Sequence, residues 1–409
     1  MRKRRTGLRM LLIMSLVASL FVAFAMHGSA KKSSQKIVFA TFPGQELAMR
    51  NMADDFQKKT GIEVIVDILP RTGYREALLG PLSSGSSEID VVYLQNPWLA
   101  EFVEAGFIEP LDRYLSRSEL KEIKEDQFPS VYDAGVYDGK LWGLGWDLST
   151  FFLFYRTDLI KNPPQTMDEY LELAKKFTKS INPSSPTKYG TVLEGSPERV
   201  NYQEWYSFLW SFGGDLFDDK GRPTLNSKAA IEALKFRYEM KTKHAVVPPD
   251  VDSYRFPEVL TAFQEGVAPM VIQWNSAYST FADKEKSPKI YDKFDAVMLP
   301  SYKTSSGKLN CQPFAKAWYL SLNRNSKNKK AAVQWIKYFT GEEASRIAIR
   351  DGATPGSVKV WSDPNTAKFR KDSSLFLKTF KMAKMTPNLP ELPAIEDKLA
   401  QALTFVLAN

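Results

Sequence analysis

Ile62-Glu63-Val64-Ile65-Val66-Asp67-Ile68 is a β-branched run, and Ile89-Asp90-Val91-Val92-Tyr93-Leu94 has the same character further along the chain. Both read as strands, because β-branched and aromatic side chains suit a pleated, buried surface. Upstream, Ile37 to Phe42 is another such run, stopped by Pro43-Gly44. Between the first two strands Met49, Met52, Ala53 and Phe56 recur at helical spacing, and Gly61 closes that helix. Strand, helix and strand in this order imply right-handed crossovers and predict a mostly parallel sheet. The fold class is α/β.

The second half of the chain uses the same materials. Thr166-Met167-Asp168-Glu169 is a capping box opening a helix that runs to about Ser180. Asn226-Ser227 opens another to about Lys243, and Pro269 to Trp274, Ala296 to Leu299 and Ala317 to Leu322 read as strands. Asn328 to Phe339 is amphipathic, with Ala332, Trp335, Ile336 and Phe339 on one face. Breaks containing Pro or Gly fall at 182–186, 195–197, 248–249 and 352–356, and no fixed repeat is visible. A chain of 409 residues is long enough to divide into two domains.

At the N-terminus Arg2, Lys3, Arg4, Arg5 and Arg9 precede an apolar run from Met10 to Met26, followed by small residues at Ala23-Phe24-Ala25 and Gly28-Ser29-Ala30. That order is the layout of a secretory signal over residues 1–30. The alternative is an uncleaved anchor, for which the run sits near the lower limit of roughly 17 residues. Either way the bulk of the chain is expected outside the cytoplasm, periplasmic or extracellular. Lys31 to Gln35 is a polar tether. Cys311 is the only cysteine, so an internal disulfide is excluded and the fold must rest on core burial. The net charge of +8 falls to about +3 once the five N-terminal cations are set aside, which leaves no footprint for nucleic acid. The mixed charged surface fits a monomer.

Reactive constellations are scarce. Of two histidines, His27 lies in the signal and His244 stands alone, so a histidine metal motif is excluded. A Ser-His-Asp triad would have to use His244, and no Gly-x-Ser-x-Gly elbow accompanies it. Gly143-Leu144-Gly145 lacks the third glycine of a dinucleotide fingerprint, and no phosphate-cradling Gly-Lys-Ser/Thr loop occurs. No cofactor is expected. A pair of distant carboxylates remains open, as in a glycosidase.

Several segments, in order, resemble the extracellular solute-binding proteins of ABC sugar importers. They are Ile89-Asp90-Val91-Val92 with Asn96-Pro97-Trp98 and Ala105-Gly106-Phe107-Ile108-Glu109-Pro110-Leu111-Asp112; Tyr137-Asp138-Gly139-Lys140-Leu141-Trp142-Gly143-Leu144 leading to Phe154-Tyr155-Arg156-Thr157-Asp158-Leu159; Pro163-Pro164-Gln165-Thr166-Met167-Asp168-Glu169; Phe263-Gln264-Glu265-Gly266-Val267-Ala268-Pro269-Met270; and Pro387-Asn388-Leu389-Pro390 before a closing helix. Arg156, Pro269 and Gly145 depart from the pattern, where asparagine, alanine and proline are usual. The resemblance implies a two-lobed periplasmic-binding-protein fold of the type II kind, with a ligand cleft between lobes and hinge segments near 145–149, 312–318 and 352–360. The lobes it implies are 31–146 plus 317–356, and 147–316 plus 357–409. It also implies a carbohydrate ligand, delivery to the transmembrane subunits of an ABC transporter, and no enzymatic step.

A buried sugar needs aromatic surface for its C–H faces and paired groups for its hydroxyls, since an unpaired buried polar group costs roughly 1–3 kcal/mol. Candidate ligand contacts are therefore Phe42 and Gln45 after the first strand, Asn96 and Trp98 after the third, and Trp146, Asp147 and Ser149 at the first crossing. Trp274, Asn275 and Tyr278 follow a later strand, and Lys316 and Trp318 lie near another crossing. Gly352, Thr354 and Glu396 occupy positions similar to ligand-facing ones in the family, and Glu194 and Trp205 are candidates on the second lobe. Trp98, Trp146 and Trp274 are expected to stack, with Asp147, Asn96, Asn275 and Glu396 binding hydroxyls. A glycerol phosphate or other anionic solute is the competing ligand class, with Arg71, Arg75 and Lys316 as its cations. A secreted glycosidase ranks last.

Overall fold

The computed structural model describes residues 35–304 and 307–409. The export segment expected at 1–30, and the tether up to Ser34, lie outside the described residues. Strand β1 (Lys36–Thr41) pairs in parallel with β2 (Glu63–Ile68) and β3 (Val91–Gln95), as the strand-helix-strand pattern predicts. Between β1 and β2 the helix Glu46–Thr60 buries Met49, Met52, Ala53 and Phe56 and ends at Gly61, whose φ of 75° is the left-handed cap glycine takes without strain. After β4 (Ile108–Glu109), a tight hairpin joins β5 (Val136–Tyr137) to β6 (Lys140–Leu141) through Asp138 and Gly139. Both turn residues have positive φ, 47° and 70°, which a twisted two-residue hairpin requires.

The sheet stops being parallel where the chain changes lobe. Strand β7 (Leu144–Arg156) leaves the first lobe, pairs antiparallel there with the returning strand, and beyond Thr150 pairs antiparallel with β8 (Met270–Trp274) and β9 (Phe294–Val297). A small hairpin of β10 (Tyr302–Lys303) and β11 (Leu309–Asn310) precedes the return strand β12 (Ala315–Asn323). β12 runs from Thr150 of β7 to β3, with its register shifting between Ala317 and Tyr319. The expected mostly parallel sheet is thus confined to β2–β1–β3. An outgoing and a returning strand run in opposite senses, so their pairing is antiparallel.

Two apolar cores flank this crossing. One draws on residues from Ile37 to Trp146 and from Trp318 to Ala353, and the other on residues from Phe151 to Phe314 and from Leu392 to Leu403. In the first, the helix Lys329–Thr340 seats Trp335 against Phe56 and Phe39, with Ala332, Ile336 and Phe339 buried on the face its periodicity predicts. A third cluster, with Phe128, Leu148, Tyr319 and Trp361, packs around the crossing strands themselves. The helix Met167–Lys176 is shorter than the expected run to Ser180. Thr178 Oγ1 donates to the Ala174 carbonyl at 2.7 Å and Asn182 Nδ2 to that of Lys176 at 2.9 Å, satisfying acceptors that further turns would have used.

Candidate functional site

A cavity of about 440 Å³ opens between the two lobes. The first lobe supplies an aromatic wall. Register pairs Trp318 of β12 with Gln95 of β3, so both reach the cleft side by side, and the helix beginning at Asn96 presents Trp98 in its first turn. Phe42 lies 4.3 Å from the Trp318 ring, Trp98 stands edge-on to Trp318 at 5.6 Å, and Tyr74 meets Phe42 at 5.2 Å. Arg71 lies over the Phe42 ring at 4.9 Å. Across the cleft, the helix Arg199–Ser211 brings Arg199 and Tyr202, and the C-terminal helix Leu392–Ala408 brings Glu396. Glu396 accepts the Tyr202 hydroxyl at 3.0 Å and the Tyr206 hydroxyl at 3.4 Å.

Where the hinge strands meet the cleft there is a charged layer. Asp147 of β7 accepts from Thr354 Oγ1 at 3.0 Å and from the Gln45 side chain. Burial raises its carboxyl above the ordinary range, while Lys316 and then Thr354, Gln45 and Arg71 pull it back. The Lys316 ammonium sits 4.2 Å from the Trp274 ring centroid, and Ser149 pairs in register with Lys316. Burial lowers the Lys316 ammonium well below the usual lysine range, and Arg199 and Arg71 push in the same direction. Trp274 in turn stacks on Phe151 at 3.8 Å.

Phe42, Trp98, Trp318 and Glu396 of the expected contacts line the cavity, with Gln45, Asp147, Ser149, Lys316, Thr354 and Trp274 in or beside the charged layer. The others lie elsewhere. Trp146 is fully buried in the first core, 4.6 Å from Phe339, because its strand position points away from the cleft. Asn275 is engaged with the crossing, its Oδ1 accepting the Thr150 N–H at 2.9 Å, and Asn96 donates to Thr386 Oγ1 at 3.0 Å. Tyr278 packs between Phe154 and Phe294 in the third cluster. Gly352 has a φ of 87° and ends a helix, and Trp205 and Glu194 are buried in the second lobe. Sequence reasoning missed Tyr74, Gln95, Arg199 and Tyr202. Among the described residues no cluster of His, Cys, Asp and Glu could hold a metal ion.

The profile of bacterial extracellular solute-binding proteins matches residues 42–346. The chain belongs to that family. This solute-binding protein is 29% identical, over 77% of its length and 74% of the relative's, to a probable ABC transporter-binding protein of Deinococcus radiodurans. A maltotriose-binding protein of Pyrococcus abyssi is 23% identical over 90% of this chain and 76% of the relative. Among solved structures, maltose-bound MalE3 of T. maritima superposes with a TM-score of 0.78 at 26% identity, covering 91% of this chain and 94% of that one. A ribitol complex from Agrobacterium radiobacter gives a TM-score of 0.77 at 22% identity over 92% and 94%, which supports the two-lobed fold. No helix among the described residues of the solute-binding protein is long and apolar enough to cross a membrane.

The second lobe stores protons. Burial, with Glu204 and Glu198 adding repulsion, raises the Glu194 carboxyl to about 9, and burial raises those of Glu204 and Glu396 to about 7. Each unfolded carboxyl sits near 4.5, so the native state holds protons the unfolded chain has released. The stability these groups contribute is therefore present in acid and lost as pH rises through the folded values. Glu194→Gln keeps the shape without the charge. Its stability relative to wild type, from urea unfolding without ligand, is expected to rise steadily between pH 4.5 and pH 9. A difference that does not change with pH would rule out this titration.

Proposed function

We propose that the protein captures a small polyhydroxylated solute, a sugar or polyol, in the inter-lobe cleft and delivers it to the transmembrane subunits of an ABC importer outside the cytoplasm. The lobes close about β7, β12 and the segment 353–357, and no bond is broken. The observation that carries this reading is the aromatic wall of Phe42, Trp98 and Trp318 facing Arg199, Tyr202 and Glu396 across one cavity. Aromatic rings meet the C–H face of a sugar, and the polar groups opposite meet its hydroxyls. The size of the cavity falls in the roughly 300–1,000 Å³ range of small-molecule sites. The maltotriose-binding relative and the maltose-bound MalE3 agree with this ligand class.

Thermal unfolding against mono-, di- and oligosaccharides and polyols tests the reading, because ligand at a hundred times its Kd stabilises by about 2.7 kcal/mol. Trp98 is half-buried at the cavity, packed on the edge of the first core against Trp318 and Tyr74. Trp98→Ala should weaken the identified ligand by about 2 kcal/mol, roughly thirtyfold in Kd, a loss read separately from the shift in the unliganded midpoint that the lost packing causes. Unchanged affinity in that variant would remove the aromatic wall from the site.

A further inference from the structure

We infer that the captured solute carries an anionic group, a carboxylate or a phosphate, seated between Arg71 of the first lobe and Arg199 of the second. The inference rests on the capture reading above and narrows its ligand class. Gln95 lines the cavity at 2% exposure, and its Nε2 has no partner. The Nε of Arg199 is buried without a partner as well. Arg71 gives one N–H to the Pro43 carbonyl at 3.2 Å and, among the described residues, makes no ion pair, with Asp147 acting on it only from a distance. Lys316, 8% exposed, forms no ion pair among the described residues; its ammonium rests against Trp274 and feels Asp147 across the charged layer.

Most acceptors beside the cavity, in contrast, already hold a partner, although Gln45 Oε1 is buried without one. Both oxygens of Glu396 take tyrosine hydroxyls, and Asp147 takes Thr354 and Gln45. Arg75 is neutralised by Glu101 and Glu76, leaving Asp397 as an exposed carboxylate at the mouth. A neutral hydroxyl both donates and accepts, whereas a carboxylate or phosphate only accepts. A site whose free groups are mainly cationic donors fits the second, and guanidinium groups grip such anions in a fork geometry.

The placement of the two arginines adds a consequence for closure. They approach from opposite lobes, and Arg199 helps burial hold the Arg71 guanidinium below its ordinary range. Like charges brought together by closure oppose it until an anion lies between them. A ligand shifts an equilibrium only by its differential affinity for the two states, and this contact exists only when the lobes are closed.

Calorimetric titration with matched pairs tests the inference: glucose against glucuronate and glucose 6-phosphate, and maltose against maltobionate. At least one acidic member should bind about tenfold or more tighter than its neutral partner. Arg199→Gln and Arg71→Gln should abolish that preference, Arg199→Lys should restore part of it, and added salt should weaken the acidic ligand selectively. A preference seen only with glucuronate and maltobionate assigns a carboxylate, and one seen only with the sugar phosphate assigns a phosphate. Neutral members binding as tightly as acidic ones in every pair would overturn the inference and leave the capture reading intact. No binding by any member would sink both.

Discussion

Replacing Arg237 with methionine is expected to cost about 3–5 kcal/mol of stability, lowering the thermal midpoint by roughly 10 °C. Arg237 is 1% exposed on the helix Lys228–Thr242, deep in the second lobe. Its guanidinium donates to Asn201 Oδ1 at 3.0 Å and to the Glu194 carbonyl at 2.8 Å, and faces Glu204 at 3.6 Å. Methionine fills much of the same volume, so the loss isolates the charge and its hydrogen bonds from simple cavity formation. Removing one partner of a buried charge group leaves the others unpaired, which is the costly way to break it. Glu204→Gln in the methionine background should recover part of the loss, because it removes the stranded acid. A single-variant cost below about 1 kcal/mol would mean that the cluster is electrostatically unimportant.

The effect should extend to ligand binding. Asn201, held by Arg237, also donates to the Gly195 and Ser196 carbonyls and to Thr404. It lies two residues after Arg199 and just before Tyr202, the two cleft residues of its helix. A loosened Asn201 therefore misplaces the second lobe's share of the site, and affinity is expected to fall along with stability.

That helix marks where sequence reasoning stops. Asn201 to Ser211 are all buried, so no polar face alternates with an apolar one and the 3.6-residue period that reveals a surface helix is missing. The helices Glu46–Thr60 and Lys329–Thr340 each expose one side, and both were legible from spacing alone. Strand β7 suffers the same loss of contrast. Phe151 to Phe154 are buried on both faces, so its length and its passage between lobes leave no alternating signal. The aromatic part of the cleft was readable because Trp98 closely follows the strand Val91–Gln95 and Trp318 lies within a legible strand, opposite Gln95. The convergence of Arg71, Arg199 and Glu396 was not, since only the crossing strands bring such distant positions together.

The crossing itself leads to the second large effect. Gly356→Val is expected to cost about 2–4 kcal/mol and to weaken ligand binding. A Cβ at Gly356 would lie 2.4 Å from the Gly145 carbonyl oxygen, which already accepts from Gln127 Nε2 at 2.9 Å. A Cβ at Gly145 would lie 2.3 Å from Val131, so β7 cannot retreat from the intrusion. The segment around Gly356 is held in place on both sides. The Leu148 N–H donates to the Thr354 carbonyl at 2.9 Å, and Trp361 Nε1 donates to that of Pro355 at 2.7 Å. Pushing this segment off β7 also pulls Thr354 from Asp147, which ties the backbone contact to the charged layer of the cleft. Gly352→Ala provides the contrast, because no atom lies within 4 Å of a Cβ there and its φ of 87° charges only the conformational penalty of about 1 kcal/mol. If the two variants lose stability and affinity equally, the third crossing is an ordinary loop; if only Gly356→Val loses both, the contact between Gly145 and Gly356 is a working part of the hinge.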